Sequence, residues 1–249
     1  DQVAGPMNAV RALCVSAVFY VFRCLGGEEV PANAGLLRPI EVLTRPGSIC
    51  DATPPAAVSA GNVETSQRLV DTLLGALAPA APERIPAASC GSMNNVLFGG
   101  VDPRDGARAG QQFVHYETNG GGAGASPLGP GADAIHTHMT NTLNTPVEEL
   151  ERAFPVRIER YAVRPPAADT NGGAGVVRSY RMLADTEVTL VTERRRTAPW
   201  GLGAPDGERG RNSLERAGER AEVSGKAHLR LSSGDLLVVE TPGGGAWGG

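Results

Sequence analysis

Apolar positions in the first third of the chain are spaced as they are in helices. Residues 8–25 form a nearly continuous apolar run that a Gly-Gly pair closes, which predicts a mostly buried helix. A second helix is predicted from an N-cap at Asn62 to about Leu77, because its apolar residues recur on one helical face. The connection between the two helices is rich in proline and contains one short strand candidate, Ile40–Leu43.

From residue 88 onward the pattern changes to short alternating segments separated by glycine-rich stretches. A capping box that begins at Thr145 predicts a short helix from Pro146 to Phe154, and the polar residues 201–222 are predicted to form an exposed excursion. Alternation of apolar and polar residues predicts strands at Phe113–Thr118, Val156–Val163, Val176–Leu183, Val188–Thr192, Ala227–Leu231 and Leu236–Glu240.

These patterns predict an α+β protein, with N-terminal helices packed on a β-rich remainder that is rich in glycine turns. Residues 1–87 form the helical and loop-rich segment, and residues 88–249 form the β-rich segment with its short helix. Hydrophobic content of 41% and charged content of 20% fit a soluble globular protein. The formal charge of -4 provides no broad cationic surface, so we expect neither nucleic acid nor an anionic membrane as a partner.

Two further sequence features bear on location. The apolar run Ala12–Phe22 is too short to cross a bilayer and reads as part of a buried helix. The four cysteines are widely spaced and form no C-x-x-C pair, which disfavours a zinc ribbon or a thioredoxin-type motif. Reduced thiols in a cytoplasmic protein are the simpler interpretation, and disulfides are the alternative.

The richest polar segment of the chain contains two histidines, His136 and His138, two residues apart. On an extended backbone both rings would point the same way and could share one site. One of them could act as a general acid or base, or the pair could bind a metal with Asp133, Glu117 or a carboxylate of residues 148–151 as a third ligand. The alternative is that both are hydrogen-bonded loop residues. The carboxylates that follow are expected to stabilise the N-terminus of the short helix: Glu148, Glu149 and Glu151.

Other polar candidates lie beside glycine clusters. Asn94 and Asn95 precede one cluster and Glu117 precedes another, where amides and a carboxylate could orient a polar substrate or serve only in turns. Gly121 and Gly122 could bring backbone N–H groups close to a ligand, although turns and bulges are the commoner role of such clusters. The chain contains no G-x-x-x-x-G-K-[ST] loop, so it has no recognisable ATP site of that type.

Six long motifs occur along the chain: GNVETSQRLVDTLLGAL, GSMNNVLFGG, YETNGGGAGA, HTHMTNTLNTPVEELE, FPVRIERY and the terminal ETPGGGAWG. Together and in this order they resemble the hydantoinase B/5-oxoprolinase family. That family includes B subunits of N-methylhydantoinase, the second half of 5-oxoprolinase, and subunits of acetone and acetophenone carboxylases. The resemblance covers essentially the whole chain and does not specify the substrate.

The resemblance implies a division of labour between subunits. An A-type partner binds ATP and phosphorylates an amide or enol oxygen, and the B-type part carries the activated intermediate onward. It also implies a divalent metal, Mn or Zn, in the complex, with the family's metal motifs outside this chain. The chain is then one continuous portion of a longer B-type subunit, with the N-terminal part of that subunit as a further partner.

The leading hypothesis is a B-type subunit, or its C-terminal section, in an ATP-dependent hydrolase that opens a cyclic amide: a hydantoin, 5-oxoproline or a lactam. The catalytic candidates are His136, His138 and Glu117. The substrate-binding candidates are Asn94, Asn95, Asn141, Gly121 and Gly122. One alternative is an ATP-dependent carboxylase of the acetone or acetophenone type, and another is a non-catalytic scaffold within such a complex.

Overall fold

The structure is a computed structural model that describes residues 1–27, 29–106, 108–165 and 170–248. It has N-terminal helices followed by antiparallel sheets, which confirms the predicted α+β class. Among the described residues, no helix is long and apolar enough to cross a membrane. The chain divides into two compact units. The first consists of Asp1–Pro86 with His138–Asn141, and the second of Ala87–Thr137 with Thr142–Gly249.

The first unit is built on two helices, α1 (Arg11–Gly26) and α2 (Ser66–Leu77). Both were predicted, with differences at their N-termini. Helix α1 begins at Arg11 rather than at residue 8. The prediction of a mostly buried helix was wrong, because a single stripe carries its fully buried residues: Cys14, Ala17 and Val21. These recur at helical spacing, and most other apolar positions of α1 are only partly covered.

The start of the second helix and the strand candidate before it also differ from the prediction. A π-helical turn, Gly61–Thr65, precedes α2, so Asn62 lies inside the helix and Ala60 is the N-cap. Ile40–Leu43 is irregular and follows a 3-10 turn at Ala34–Leu37. A strand needs a partner for its backbone groups, and the described part of the first unit contains no sheet for this segment to join.

The second unit contains two antiparallel sheets. The orders are β2-β1-β5-β8 in the first and β3-β4-β9-β6-β7 in the second. The described strands are β1 (Asn95–Val101), β2 (Gln112–Glu117), β3 (Val156–Val163), β4 (Val176–Met182), β5 (Thr186–Val191), β6 (Arg211–Arg216), β7 (Glu219–Val223), β8 (Lys226–Leu231) and β9 (Leu236–Glu240). All six predicted strands are therefore confirmed.

Three strands were not predicted. Strand β1 contains Gly99-Gly100, which the sequence suggested as a turn. Strands β6 and β7 form a hairpin inside residues 201–222, so this segment is not an irregular excursion, although most of β7 is exposed as predicted. Ala217 and Gly218 connect these strands with positive φ angles of 52° and 83°, which suits a two-residue hairpin turn. The many charged residues of this hairpin concealed its alternation.

The two sheets of the second unit share one hydrophobic core. Phe98 and Leu190 from the first sheet meet Tyr180 and Leu237 from the second, and all four side chains are almost fully buried. Leu150 joins them from helix α3 (Val147–Ala153). The predicted short helix is thus confirmed, but Pro146 is its N-cap and the capping box at Thr145 is not formed. A proline at this boundary fixes φ for the first turn without a side-chain cap.

Glycine-rich segments of the second unit pack backbone against backbone. A Cβ on Gly122 would lie 1.9 Å from the carbonyl oxygen of Gly173, and one on Gly244 would lie 1.8 Å from that of Ala123. Backbone hydrogen bonds link the same segments, for example from Gly173 N–H to Ala123 and from Gly244 N–H to Gly173, both at 2.8 Å. These glycines therefore allow close packing, where the sequence had suggested turns or bulges for at least two of the four glycine clusters.

Candidate functional site

A buried carboxylate stands at the end of β2, where the two sheets of the second unit face each other. Glu117 is the last residue of β2, and its Oε1 accepts a hydrogen bond of 2.6 Å from the Tyr180 hydroxyl on β4. Arg178, two residues earlier on β4, places Nε 3.4 Å from the same oxygen. Because residues i and i+2 of a strand share a face, β4 presents both partners to Glu117.

Arg178 is an unusual core residue because its side chain is completely buried. Its guanidinium lies 4.6 Å from the ring centre of Tyr161 and 5.7 Å from that of Tyr180, and Nη2 donates to the carbonyl of Thr145. Burial alone would raise the pKa of Glu117, but His115, the Arg178 charge and the Tyr180 hydroxyl outweigh burial and hold it below its ordinary value. Glu117 is therefore an ionised carboxylate inside the protein.

Hydrogen bonding within this group is incomplete. Among the residues that the structure describes, Glu117 Oε2, His115 Nε2, and Nε and Nη1 of Arg178 have no hydrogen-bond partner. The closest ionic contact between His115 and Glu117 is 4.0 Å, which is too long for a hydrogen bond. Buried charges with spare bonding capacity are costly, and such groups are enriched at functional sites. The geometry thus marks Glu117 and Arg178 as functional candidates.

His136 belongs to the same unit and has a defined set of contacts. Its Nε2 lies 2.9 Å from Oδ1 of Asn144, and that oxygen also accepts the N–H of Gly120 at 3.0 Å. The amide nitrogen of Asn144 donates to the hydroxyl of Tyr161. Burial lowers the pKa of His136, and the opposing effects of Asn144 and the Glu117 charge offset this only in part. Because its pKa is lowered, the ring is neutral at neutral pH. Because it is only partly buried, it is also accessible.

His138 lies in the first unit and has different partners. Its Nδ1 is 3.3 Å from the hydroxyl of Tyr20 on α1, and its Nε2 is 3.6 Å from Oδ1 of Asp71 on α2. Asp71 also pairs with Arg68 at 3.3 Å. The backbone of His138 has a φ of 53°, so the extended conformation assumed for the two histidines was wrong at this residue. The catalytic role of each histidine stays a prediction.

The asparagine candidates Asn94 and Asn95 are buried and bonded within the second unit. Asn94 adopts a left-handed φ of 48°. The side-chain amides of Asn94 and Asn119 each donate to the backbone carbonyl of the other residue, and Asn94 Oδ1 accepts a 2.6 Å bond from Arg195. The Asn95 amide donates to Val191 at 2.7 Å and accepts from the Tyr116 hydroxyl at 2.6 Å. Their side chains hold strand ends together, and substrate binding by them stays a prediction.

The remaining candidates differ in accessibility. The N–H groups of Gly121 and Gly122 donate to the carbonyls of Ile135 and Pro242, so both are used inside the protein. Asn141 is exposed, and its amide has no hydrogen-bond partner in the described part of the chain. Of the predicted substrate-binding residues, Asn141 alone thus has an accessible side-chain amide.

A sequence comparison decides which family the chain represents. The sequence profile of the family described as Hydantoinase B/oxoprolinase matches residues 1–249, which is the whole chain. The chain belongs to the hydantoinase B/oxoprolinase family. It is 36% identical over 252 residues to 5-oxoprolinase 1 of Arabidopsis thaliana, covering 99% of this chain and 19% of that protein. This hydantoinase B-type chain spans from 19% to 43% of the length of the curated relatives it matches.

Two solved structures share the fold of this hydantoinase B-type chain. The ATP-dependent caprolactamase from Pseudomonas jessenii superimposes with a TM-score of 0.80 and 23% identity, covering 99% of this chain and 44% of that one. A nucleotide-free acetone carboxylase superimposes with a TM-score of 0.79 and 14% identity, covering 98% and 38%. At these identities the likeness establishes a common fold.

The metal site suggested by the spacing of His136 and His138 is not formed by the described residues of this hydantoinase B-type chain. No group of three histidine, cysteine, aspartate or glutamate side chains within them could hold a metal ion. Asp133, the suggested third ligand, accepts a 2.6 Å bond from the N–H of Ala174. Glu151 accepts a 2.8 Å bond from the N–H of Ile158, and Glu149 pairs with Arg152. These carboxylates have structural partners instead.

Sequence reasoning did not single out several residues of the site. Arg178 and Tyr180 lie on a strand that is almost wholly buried, and a charged residue in such a strand was the available signal. Asn144 was part of the polar run but carried no distinguishing pattern. Its contacts with Gly120 and Tyr161 depend on segments distant in sequence.

Proposed function

We propose that this chain is a section of a B-type subunit in an ATP-dependent hydrolase that opens a cyclic amide. The ring would be a hydantoin, 5-oxoproline or a lactam, activated by an A-type partner that binds ATP. The observation that carries the proposal is His136, a partly exposed imidazole with a lowered pKa, acted on by the ionised carboxylate of Glu117. Membership of the family, and 36% identity to a 5-oxoprolinase, support the choice of a cyclic amide.

The proposed chemistry assigns proton transfer to His136. The partner transfers the γ-phosphoryl group of ATP to the amide oxygen, which makes the ring carbon more electrophilic. His136 then takes a proton from the attacking water, and Glu117 stabilises the imidazolium that forms. Ring opening consumes ATP and water and releases ADP, phosphate and the open-chain amino acid.

The other candidates have supporting roles in this proposal. His138, bonded to Tyr20 and close to Asp71, is a second proton-transfer candidate that can be tested separately from His136. Asn141 is the substrate-binding candidate with an accessible amide, whereas Asn94 and Asn95 would shape the site through the strand ends that they join. The four cysteines are free thiols, which supports a cytoplasmic location for the complex.

The test uses the whole B-type protein assembled with its ATP-binding partner. The complex is incubated with ATP and, in parallel, with hydantoin, 5-oxoproline, caprolactam, or acetone plus bicarbonate. ATP-dependent formation of an open-chain amino acid from any of the cyclic amides supports the proposal. Bicarbonate-dependent consumption of acetone without ring opening would contradict it in favour of a carboxylase.

A scaffold role is separated from catalysis by substitution. The His136→Ala, His138→Ala double variant should assemble with the partner and lose ring opening. Unchanged turnover in that variant would show that this section serves assembly alone, and it would overturn the catalytic assignment. His228→Ala is the matched control, because His228 is an exposed histidine on β8 bonded to Thr189.

A further inference from the structure

We infer that Asn144 is a positioning residue that fixes the tautomer of His136, with the proton on Nε2 and a free lone pair on Nδ1. The use of this tautomer as a base rests on the proposed function. The tautomer itself rests on geometry alone. His136 Nε2 and the Gly120 N–H both approach one oxygen, Oδ1 of Asn144, at 2.9 Å and 3.0 Å.

The orientation of the Asn144 amide follows from its other contacts. A backbone N–H can only donate, so the Asn144 atom that faces Gly120 must be the carbonyl oxygen. The NH₂ group then points to the hydroxyl of Tyr161 on β3. A flipped amide would place its NH₂ group against the Gly120 N–H, donor against donor, and would leave that backbone group unsatisfied.

The fixed amide determines the protonation of the ring. An amide oxygen only accepts, so His136 Nε2 must be the donor in the 2.9 Å contact. A neutral imidazole carries one N–H, which leaves Nδ1 as the acceptor. Nδ1 has no hydrogen-bond partner among the residues that the structure describes, and the ring is partly exposed, so water or a substrate can reach it.

The same arrangement favours proton uptake at Nδ1. When Nδ1 takes a proton, the ring keeps its bond to Asn144, and the charge of Glu117 favours the cation. Glu117 from β2 is the charged group that acts on the ring, and Tyr161 from β3 is the titratable group that contacts Asn144. Tyr161 is itself held against the Arg178 guanidinium at 4.6 Å. Asn144 thus connects the base to the buried charges through Tyr161.

The tautomer can be measured directly by ¹⁵N NMR of the whole protein labelled at histidine. The chain has four histidines, and His136→Gln assigns the His136 resonances by their loss. At a pH where the ring is neutral, we expect the Nε2–H pattern for His136. The Nδ1–H pattern in the wild-type protein would overturn the inference. Thr142→Ala, an exposed neighbour of Asn144, is the matched control and should leave the pattern unchanged.

Two variants test whether Asn144 sets this state. Asn144→Ala should allow both tautomers. Asn144→Asp keeps an acceptor for Gly120 and for Nε2 but adds a negative charge, so His136 should titrate at least about one pH unit higher. An unchanged tautomer in Asn144→Ala, or an unchanged titration in Asn144→Asp, would contradict the inference. The Asn144→Asp variant stays informative if Asn144→Ala fails to fold.

The kinetic arm separates this inference from the proposed function. In the assembled complex, Asn144→Asp should shift the midpoint of the acidic limb of the pH–rate profile to higher pH. The shift should equal that of the His136 titration midpoint measured by NMR. If the NMR titration moves and the pH–rate profile does not, Asn144 positions a ring that is not the base. Absence of ring opening in the wild-type complex would contradict the proposed function and leave the NMR result intact.

Discussion

At the scale of single residues, the pair Glu117–Arg178 is the most consequential contact in the second unit. Both side chains are almost completely buried, at 2% and 0% exposure, and the Glu117 carboxylate also accepts a bond from Tyr180. Removing one partner of a buried pair leaves the other charge uncompensated in a medium of low dielectric constant. Such a pair constrains the fold even where its net contribution to stability is small.

We therefore expect Glu117→Gln to lower the free energy of unfolding by about 3–5 kcal/mol, as measured by urea denaturation. Glu159→Gln is the control, because Glu159 forms a partly exposed pair with Arg181 at 2.7 Å and should cost no more than about 1 kcal/mol. Equal effects of the two substitutions would contradict the claim that Glu117→Gln leaves the buried Arg178 charge uncompensated.

The same carboxylate makes stability depend on pH. The pKa of Glu117 is lowered in the folded protein from its ordinary 4.5, so its ionised form stabilises the fold above pH 4.5. This contribution is lost as the pH falls through the lowered pKa. The acid dependence of unfolding should consequently weaken in Glu117→Gln.

A second expectation concerns His136 and activity. Burial lowers its pKa below the ordinary 6.5, so the neutral form needed for a base persists in mildly acidic solution. The acidic limb of kcat/KM for ring opening should then have its midpoint below pH 6.5. A midpoint above pH 7 would point to another group as the base.

The sequence suggested some residues of the candidate site and not others for a physical reason. Glu117 and His136 were identifiable because carboxylates and imidazoles are chemically distinctive, and each stood beside a polar or glycine-rich motif. Arg178 and Asn144 act through partners distant in sequence, Glu117 and Gly120, which only strand pairing and loop packing bring near them. The chemistry of a side chain can be read from the sequence, whereas its bonding partners depend on the tertiary structure.

At the scale of elements, helix α3 is held at its C-terminus by an arginine from another segment. Arg104 donates to the carbonyls of Glu151, Ala153 and Phe154, and it pairs with the buried carboxylate of Asp102 at 2.6 Å. The hydrogen bonds from Arg104 hold the pKa of Asp102 below its ordinary value. The terminal carbonyls of a helix lack internal partners, so a cation here is well placed.

Arg104→Ala should destabilise α3 and the protein by about 2–3 kcal/mol, because the carbonyls and Asp102 lose a charged donor together. Hydrogen exchange at the α3 amides should accelerate in parallel. Arg152→Ala, which removes an exposed arginine of the same helix, should change stability by less than about 0.5 kcal/mol. Unchanged exchange in Arg104→Ala would refute the capping role.

The glycine-rich segments make a sharper prediction. A Cβ at position 244 would lie 1.8 Å from the Ala123 carbonyl oxygen, so the backbones would have to separate. We expect Gly244→Ala to cost about 3 kcal/mol or more in unfolding free energy, measured by urea denaturation. Gly5→Ala faces open space and should be nearly neutral. A neutral result for Gly244→Ala would contradict close backbone packing.

The strands that were predicted from the sequence differ from those that were not in how visible their pattern is. Residue type and alternation identified six strands of the second unit, because β-branched and aromatic residues, and the two-residue period of a half-buried strand, are visible in the segment itself. Strand β1 escaped because Gly99 and Gly100 read as a turn, although a Cβ on Gly100 would lie 2.6 Å from the Asp185 carbonyl oxygen. The β6–β7 hairpin was not predicted because its many charged residues obscure the alternation of apolar and polar positions. In both cases tertiary packing decided the structure.

At the scale of the whole molecule, the chain is one section of a larger catalytic assembly in this account. The chain spans 19% to 43% of the length of these curated relatives, so the proposed reaction has to be measured on the whole assembled protein. Phosphoryl activation is assigned to the partner, and proton transfer to this chain. The division is testable because the two steps have separate readouts, ADP release and ring opening.

The most direct measurement is the turnover number for ring opening in the assembled complex at saturating ATP, with His136→Gln compared against His228→Gln. General acid–base catalysis is worth about 10²–10⁴-fold, so His136→Gln should lower kcat by at least about 100-fold. His228→Gln, at an exposed site on β8, should stay near the wild-type value. Equal turnover in the two variants would contradict the account.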